Sequence, residues 1–181
     1  MKRLMDIVIS CIMLISLSPI YLIIAILVWL NLGTPVLSKQ RYPGMNEKLF
    51  TLYRFKTMAH SHDHSHQFLL PNERLTKLGR FLTTYHLDHL PELYNVLLGD
   101  MSLVGPRPVL IRSTTSNELE MKRHDVRPGL MGWSQLHHQQ ILTWDQKYAF
   151  DLLYIEHQTC WFDIKIMFKS LMLLFSDKRK N

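Results

Sequence analysis

Residues 9–38, ISCIMLISLSPIYLIIAILVWLNLGTPVLS, decide the fold, because no charged residue interrupts the chain between Asp6 and Lys39. About 20 apolar residues suffice to cross the hydrocarbon core of a bilayer, so this run is long enough to be a membrane segment. Ser18-Pro19 stands inside it, and a proline removes one backbone donor and disfavours helix at the residue before it. The stretch therefore predicts two helices separated by a break.

The charges on both sides of the apolar run favour a re-entrant hairpin. The flanking basic residues are Lys2, Arg3, Lys39, Arg41, Lys48, Arg54 and Lys56. Basic flanks stay on the cytoplasmic side, so a hairpin that enters and leaves on one face satisfies both of them. Ser16 and Ser18 are expected to bond the carbonyls freed at the break. The alternative is a kinked single-pass anchor; a secretory signal peptide fits less well, because the run is too long and no small-residue cleavage site follows.

The remaining composition indicates one basic domain in a reducing compartment. The chain has 181 residues and a net charge of +6, which suits anionic lipid or phosphorylated substrates. We expect no nucleic acid partner, since no helix-turn-helix, zinc-finger or RNA-binding signature is present. Two cysteines, Cys11 and Cys160, do not form a disulfide framework. We therefore divide the chain into a membrane hairpin, residues 1–35, and a cytoplasmic domain, residues 36–181.

The patterns after the hairpin predict an α-rich α+β fold with short β elements. Two short strands are expected in TPVLSKQRYPGMN and LFTLYRF. Helices are expected over 74–82, 87–97, 117–123, 144–157 and 162–175. The last two are amphipathic, and with the aromatic residues Tyr21, Trp29, Trp161 and Phe162 they suit either the lipid interface or a protein core.

Several charged residues point together to phosphate chemistry. Arg107 lies in GPRP, where two prolines stiffen the backbone, and a fixed guanidinium binds phosphate through two hydrogen bonds. Other candidate residues are Asp88, Asp100, Asp151, Asp163 and Arg127. Taken singly, an acidic residue at a helix end is also a cap, and an arginine beside proline is also a surface turn. Taken together with the membrane segment, they predict metal-assisted phosphoryl transfer to a lipid.

Several ordered motifs carry a resemblance that covers nearly the whole chain. They are SKQRYPGMN, YRFKTM, RLTKLGRFL, LDHLPELYNVLLGDMSLVGPRPVL and RHDVRPGLMGW. This pattern resembles the bacterial sugar transferases, the monotopic phosphoglycosyl transferases that start surface polysaccharide synthesis. The resemblance implies transfer of a phosphosugar from a nucleotide-sugar, usually linked to UDP, to polyprenyl phosphate, with release of UMP and a requirement for Mg²⁺. It also implies a site on the cytoplasmic face of the bacterial inner membrane, with both termini cytoplasmic.

The resemblance also assigns roles to residues. It implies that Asp88 is the nucleophile of a covalent intermediate and that Ser18-Pro19 breaks the re-entrant helix. Arg107, Arg127, Arg54 and Lys56 are the expected phosphate-binding residues, with Asp151 and Asp163 as supporting carboxylates. Asp88 and His89 are the expected catalytic and metal-binding pair. Expected partners are the nucleotide-sugar, polyprenyl phosphate, membrane lipids, and downstream glycosyltransferases or a homologous transferase.

The chain departs from the family pattern close to the expected nucleophile. His89 stands where the family has a glutamate proposed to bind magnesium, and imidazole suits Mn²⁺ or Zn²⁺ better than Mg²⁺. Further departures are Thr83, His86, Arg54-Phe55-Lys56 and His137-His138-Gln139. Three interpretations stay open: an active transferase with a retuned site, an impaired paralogue that partners an active one, or a chemistry with histidine as general acid or base.

A histidine tract precedes the first helix of the domain. His60, His62, His64 and His66 alternate around Asp63. In an extended chain the four imidazoles share one face, which would suit Zn²⁺, Ni²⁺ or Cu²⁺. The other interpretation is a solvated loop without a ligand.

Overall fold

A computed structural model describes residues 1–59, 74–109, 121–137 and 143–176. Within these ranges the helices are α1 Lys2–Ser16, α2 Ser18–Leu32, α3 Lys77–Thr84, α4 Glu92–Leu98, α5 Trp144–Glu156 and α6 Cys160–Ser176. The strands are β1 Leu37–Pro43, β2 Leu49–Phe55, β3 Ser102–Val104 and β4 Gly129–Met131. The predicted helix-rich architecture with small β elements is confirmed. The histidine tract from His60 to His66 and most of the helix predicted over 117–123 lie outside the described residues.

The break predicted at Ser18-Pro19 is present, and α1 and α2 meet at an angle of 63°. Ser16 Oγ donates to the Met13 carbonyl at 3.2 Å and Ser18 Oγ to the Ile15 carbonyl at 2.8 Å. These are the local bonds expected where a proline frees backbone acceptors. In the described ranges no single helix has the length and apolar composition to cross a bilayer, whereas this bent pair has both when taken together.

Both helices of the hairpin are docked onto the rest of the protein. Asp6 and Ser10, one turn apart on α1, are buried, and the Ser10 hydroxyl donates to the Asp6 carbonyl. On α2, the buried pair Ile24 and Val28 packs with Phe55 of β2 and with α3. The hairpin therefore has a domain-facing side with regular i, i+4 spacing.

Two small sheets organise the domain. Strands β1 and β2 pair antiparallel, with Leu37 opposite Phe55 and Pro43 opposite Leu49. Strands β3 and β4 pair parallel, and sequence reasoning missed them because three-residue strands show no periodicity. At the end of this pair a Cβ on Gly129 would lie 2.0 Å from the Gly105 nitrogen, so only glycine permits the approach. The contact places the GPRP segment directly against the segment that follows Arg127.

The helix predicted over 87–97 is wrong in its first part. Residues Leu87–His89 form a 3-10 turn, and α4 begins only at Glu92, after Pro91. Since proline has no N–H to continue the hydrogen-bond series, the two segments stay separate. The helices predicted over 144–157 and 162–175 are confirmed to within two residues at each end. At the start of α6, Trp161 is exposed, whereas the ring of Phe162 stacks on Tyr154 of the core.

Candidate active site

A strained turn presents Asp88 between α3 and α4. His86 has φ of 55°, in the left-handed region that non-glycine residues rarely occupy. The 3-10 turn Leu87–His89 follows directly, and the Asp88 side chain in it is only 8% exposed. Backbone strain of this kind concentrates at functional positions, where the surrounding structure maintains it.

Asp88, His89, Glu92, Arg54 and Arg107 form one group of side chains, named here the Asp88 cluster. Glu92 Oε1 lies 2.6 Å from Arg54 Nε and 2.7 Å from His89 Nδ1. Arg107 Nη2 lies 2.9 Å from His89 Nε2. Asp88 Oδ2 lies 3.8 Å from the same imidazole nitrogen. The structure thus brings the predicted nucleophile together with two of the four predicted phosphate-binding residues.

The charges in the cluster hold Glu92 ionised inside the protein. Burial alone would raise the pKa of the Glu92 carboxyl, but the hydrogen bond from His89 lowers it. The nearby positive charges lower it further, and the net pKa lies below the ordinary value. For Arg107, burial lowers the pKa and the Glu92 charge opposes that change.

Two carboxylate oxygens in the cluster are available to a cation. Asp88 Oδ1 and Glu92 Oε2 are buried and have no hydrogen-bond partner within the described residues. Mg²⁺ is usually held by one or two carboxylates together with substrate phosphates, and these oxygens fit that pattern. No group of three or more His, Cys, Asp or Glu in the described ranges is arranged to hold a metal ion without substrate.

Asp151 supports the GPRP segment through Arg123. Asp151 Oδ1 accepts from the Ser134 hydroxyl at 2.9 Å, and its Oδ2 lies 2.9 Å from Arg123 Nε. Arg123 Nη2 in turn donates to the Arg107 carbonyl at 2.8 Å. Burial raises the pKa of Asp151, although Arg123 and Ser134 act in the opposite direction. The aspartate therefore supports the backbone of Arg107 through Arg123.

Asp163 supports the same segment from the side of α1. Lys2 Nζ donates to Asp163 Oδ2 at 2.7 Å, to the Val104 carbonyl at 2.9 Å and to the Tyr154 hydroxyl at 2.8 Å. The Tyr154 hydroxyl lies 2.7 Å from Asp163 Oδ1. Burial and the adjacent carboxylate raise the pKa of Tyr154, so it stays a neutral donor. This network ends on Val104, the last residue of β3.

Asp6 completes the support of β3. Its Oδ2 accepts from the Ser102 hydroxyl at 2.8 Å and its Oδ1 from the Leu103 N–H at 3.1 Å. All of these groups are buried. Three buried carboxylates, Asp6, Asp151 and Asp163, therefore hold the stretch from Ser102 to Arg107 in place.

The other predicted phosphate-binding residues contact different parts of the protein. Arg127 Nε donates to the Gly99 carbonyl at 2.9 Å, and Lys56 Nζ to the Leu32 carbonyl at 3.2 Å. Each therefore contacts a backbone carbonyl at a helix end, outside the Asp88 cluster. Sequence reasoning missed Glu92, although its i, i+3 spacing from His89 in the first helical turn was a usable signal.

A buried aspartate in one cluster with two partly exposed arginines is a site suited to phosphate groups. Residues 1–177 match the family of bacterial sugar transferases, and the chain belongs to that family. The predicted family and the predicted enzyme class, a phosphoglycosyl transferase, are confirmed.

Known relatives support the same class. The uncharacterized sugar transferase EpsL of Bacillus subtilis is 41% identical over 92% of this chain and 83% of its own length. The UDP-glucose:undecaprenyl-phosphate glucose-1-phosphate transferase of Escherichia coli is 35% identical over 98% of this chain. The undecaprenyl-phosphate glucose phosphotransferase of Komagataeibacter xylinus is 33% identical over 94% of it. The chain spans only 41% and 35% of the lengths of these last two enzymes.

Proposed function

We propose that this protein transfers a sugar phosphate from a UDP-sugar to undecaprenyl phosphate and releases UMP. The observation that carries the proposal is the Asp88 cluster, in which the buried Asp88 lies 3.8 Å from His89 and Glu92 pairs with Arg54 and Arg107. The names of the Escherichia coli and Komagataeibacter xylinus relatives support undecaprenyl phosphate as the acceptor, and the former name supports a UDP-linked donor.

The reaction has two displacement steps at phosphorus. In the first, an oxygen of Asp88 attacks the sugar-bearing phosphate, the bond from that phosphorus to UMP breaks, and UMP leaves with the bonding electrons. In the second, a phosphate oxygen of the lipid attacks the same phosphorus, and Asp88 leaves as a carboxylate. A covalent intermediate lets a soluble donor and a lipid acceptor use one site in turn.

The arginines of the cluster stabilise the charge on the transferring phosphate. Arg107 and Arg54 are 21% and 26% exposed, so each reaches the surface from a buried anchor. Fixed donors of this kind stabilise charge without reorganising during the reaction. Asp88 and Glu92 offer the oxygens that would hold Mg²⁺, and the ion would neutralise further phosphate charge.

The proposed location is the cytoplasmic face of the bacterial inner membrane. Residues 1–35 form the re-entrant hairpin and residues 36–181 the cytoplasmic domain. Large apolar side chains on the hairpin are exposed, among them Leu4, Ile12, Ile15, Leu22 and Leu30. On α6, Trp161 and Phe168 are also exposed, at 78% and 62%. Apolar surface of this extent on a basic protein suits burial in one leaflet of an anionic membrane.

The test measures UMP release from a panel of UDP-sugars with undecaprenyl phosphate. We expect turnover by the wild type, and we expect Asp88→Asn to reduce it at least about 1,000-fold, because the nucleophile is lost. Mass spectrometry of the wild type with donor alone should find a phosphosugar adduct on Asp88. The exposed Glu156→Gln variant is the control and should keep wild-type turnover.

One observation favours a second candidate, an impaired paralogue that partners an active transferase. Both imidazole nitrogens of His89 lie within hydrogen-bond distance of protein groups, Glu92 and Arg107. No turnover above that of Asp88→Asn, with any sugar or divalent metal, would end the enzymatic proposal and favour this candidate.

A further inference from the structure

Glu92 lies at the centre of the Asp88 cluster, although no motif singled it out. It is the first residue of α4 and is 0% exposed. A single oxygen, Oε1, contacts Arg54 Nε at 2.6 Å and His89 Nδ1 at 2.7 Å. One buried carboxylate therefore connects strand β2 to the turn that presents Asp88.

The contacts of His89 connect Arg107 to the same carboxylate. His89 Nδ1 lies 2.7 Å from Glu92 Oε1, and Arg107 Nη2 lies against the imidazole, 2.9 Å from Nε2 and 3.1 Å from Nδ1. Both guanidinium groups thus lie at the same carboxylate: Arg54 bonds to Glu92 directly, and Arg107 lies against the imidazole that Glu92 holds and 3.9 Å from Glu92 Oε1. Without that negative charge the two cations would repel each other.

Arg54 keeps its outer nitrogens available. Its Nε is bonded to Glu92, and within the described residues its two terminal nitrogens donate no hydrogen bond. A pair of terminal guanidinium nitrogens binds phosphate oxygens through two parallel bonds. A buried anchor on one side and a free donor pair on the other suit a side chain held for a phosphate ligand.

We propose that Glu92 is a positioning residue of this transferase, which fixes Arg54 directly and Arg107 through His89 to hold the diphosphate of the donor beside Asp88. The inference rests on the proposed function. Glu92 itself does not touch the substrate; it sets the spacing of the groups that do.

Replacing Glu92 with glutamine has two opposite effects on the donor. Losing a negative charge strengthens attraction for the diphosphate, whereas losing the anchor misplaces the arginines, and displacement by about 1 Å costs about 100-fold in rate. We expect the kcat of UMP release to fall about 30- to 100-fold, while the donor KM changes less than about threefold. A purely structural residue would lower the melting temperature and leave the kcat of the folded enzyme unchanged.

A double variant tests the pair without removing the carboxylate from the cluster. His89→Glu alone places two carboxylates within contact distance, so we expect lower stability and lower kcat. Combining it with Glu92→Gln returns the pair to one carboxylate, and its kcat should exceed that of each single variant about tenfold. Circular dichroism and thermal melting in detergent establish folding of each variant, and Glu156→Gln is the matched exposed control.

An NMR measurement separates this inference from the proposed function. In protein labelled with ¹⁵N-arginine, the Arg54 Nε–H should exchange slowly with water, and that protection should be lost in Glu92→Gln. The signal that disappears in the Arg54→Lys variant is assigned to Arg54. Any of three results would show that the inference is wrong. The wild type could lack a protected Arg54 signal, Glu92→Gln could keep the wild-type kcat, or the double variant could have a kcat no higher than that of His89→Glu. If the signal behaves as expected but no UDP-sugar yields UMP, the proposed function fails, whereas the anchoring of Arg54 by Glu92 stands.

Discussion

Glu92 carries a negative charge in the interior, and its energetic contribution depends on its partners. A buried ion pair contributes little net stability, because desolvation offsets the attraction, but removing one partner leaves a costly unpaired charge. Here one oxygen interacts with both Arg54 and His89. Replacing any one of these three residues therefore costs stability, which suits a site that must keep its geometry.

The lowered pKa of Glu92 predicts a specific dependence of stability on pH. The folded protein keeps this carboxylate ionised at pH values where the unfolded chain protonates it. The stabilisation is thus fully present above about pH 4.3 and is lost as the pH falls through the lower folded pKa. The difference in unfolding free energy between the wild type and Glu92→Gln should be constant at neutral pH and should shrink as the pH falls below about 4.3.

Denaturant unfolding in detergent, repeated across that range, measures this difference. The exposed Glu156→Gln serves as the control, and its difference from the wild type should stay near zero. A difference for Glu92→Gln that stays constant with pH would show that the carboxylate is not preferentially ionised in the folded state.

At the scale of elements, residues far apart in the sequence support β3 and the GPRP segment that follows it. β3 receives bonds from Asp6 on α1 and from Lys2, which Asp163 on α6 holds. Asp151 on α5 acts on the Arg107 carbonyl through Arg123. The strand leads directly into GPRP. The position of Arg107 thus depends on helices from both ends of the chain.

We expect Asp6→Asn to weaken the fold and the site together. Asparagine replaces one acceptor oxygen by a donor that faces Ser102 or the Leu103 N–H, leaving a buried donor unsatisfied. The cost should be about 2–3 kcal/mol of unfolding free energy. The exposed Asp145→Asn should change stability by less than about 0.5 kcal/mol. Chemical unfolding measures both, and equal stability of the two variants would contradict the proposed support of β3.

Sequence reasoning recovered the elements with strong periodicity and missed the contacts that assemble the site. The apolar run, the strand LFTLYRF and the two last helices were visible because each extends over several repeats of its pattern. The β3–β4 pair was not, since its pairing depends on the close approach of Gly105 and Gly129. Glu92 was overlooked because a single acidic residue in a first helical turn has an ordinary explanation as a favourable dipole partner.

For the whole molecule, the bend between α1 and α2 predicts that both ends of the chain lie on one side of the membrane. Cys11 is exposed and Cys160 partly exposed, so both must first be replaced by serine. Single cysteines are then introduced before Lys2 and after Asn181. In sealed inner-membrane vesicles of known orientation, both should react with an impermeant maleimide from the cytoplasmic side. Labelling from opposite sides would establish a single-pass anchor instead.

The bonds of Lys2 and Asp6 also determine how a water-soluble form of this enzyme can be made. A fragment that starts at β1 would leave Asp163 buried without its ammonium partner and would strip Ser102 and the Leu103 N–H of their acceptor. Removing the hairpin thus removes residues that belong to the protein interior, in addition to the membrane segment. Ile12 on α1 and Leu22 on α2 are exposed apolar side chains. Replacing such residues with polar ones would preserve these contacts and reduce the amount of detergent needed to keep the protein in solution.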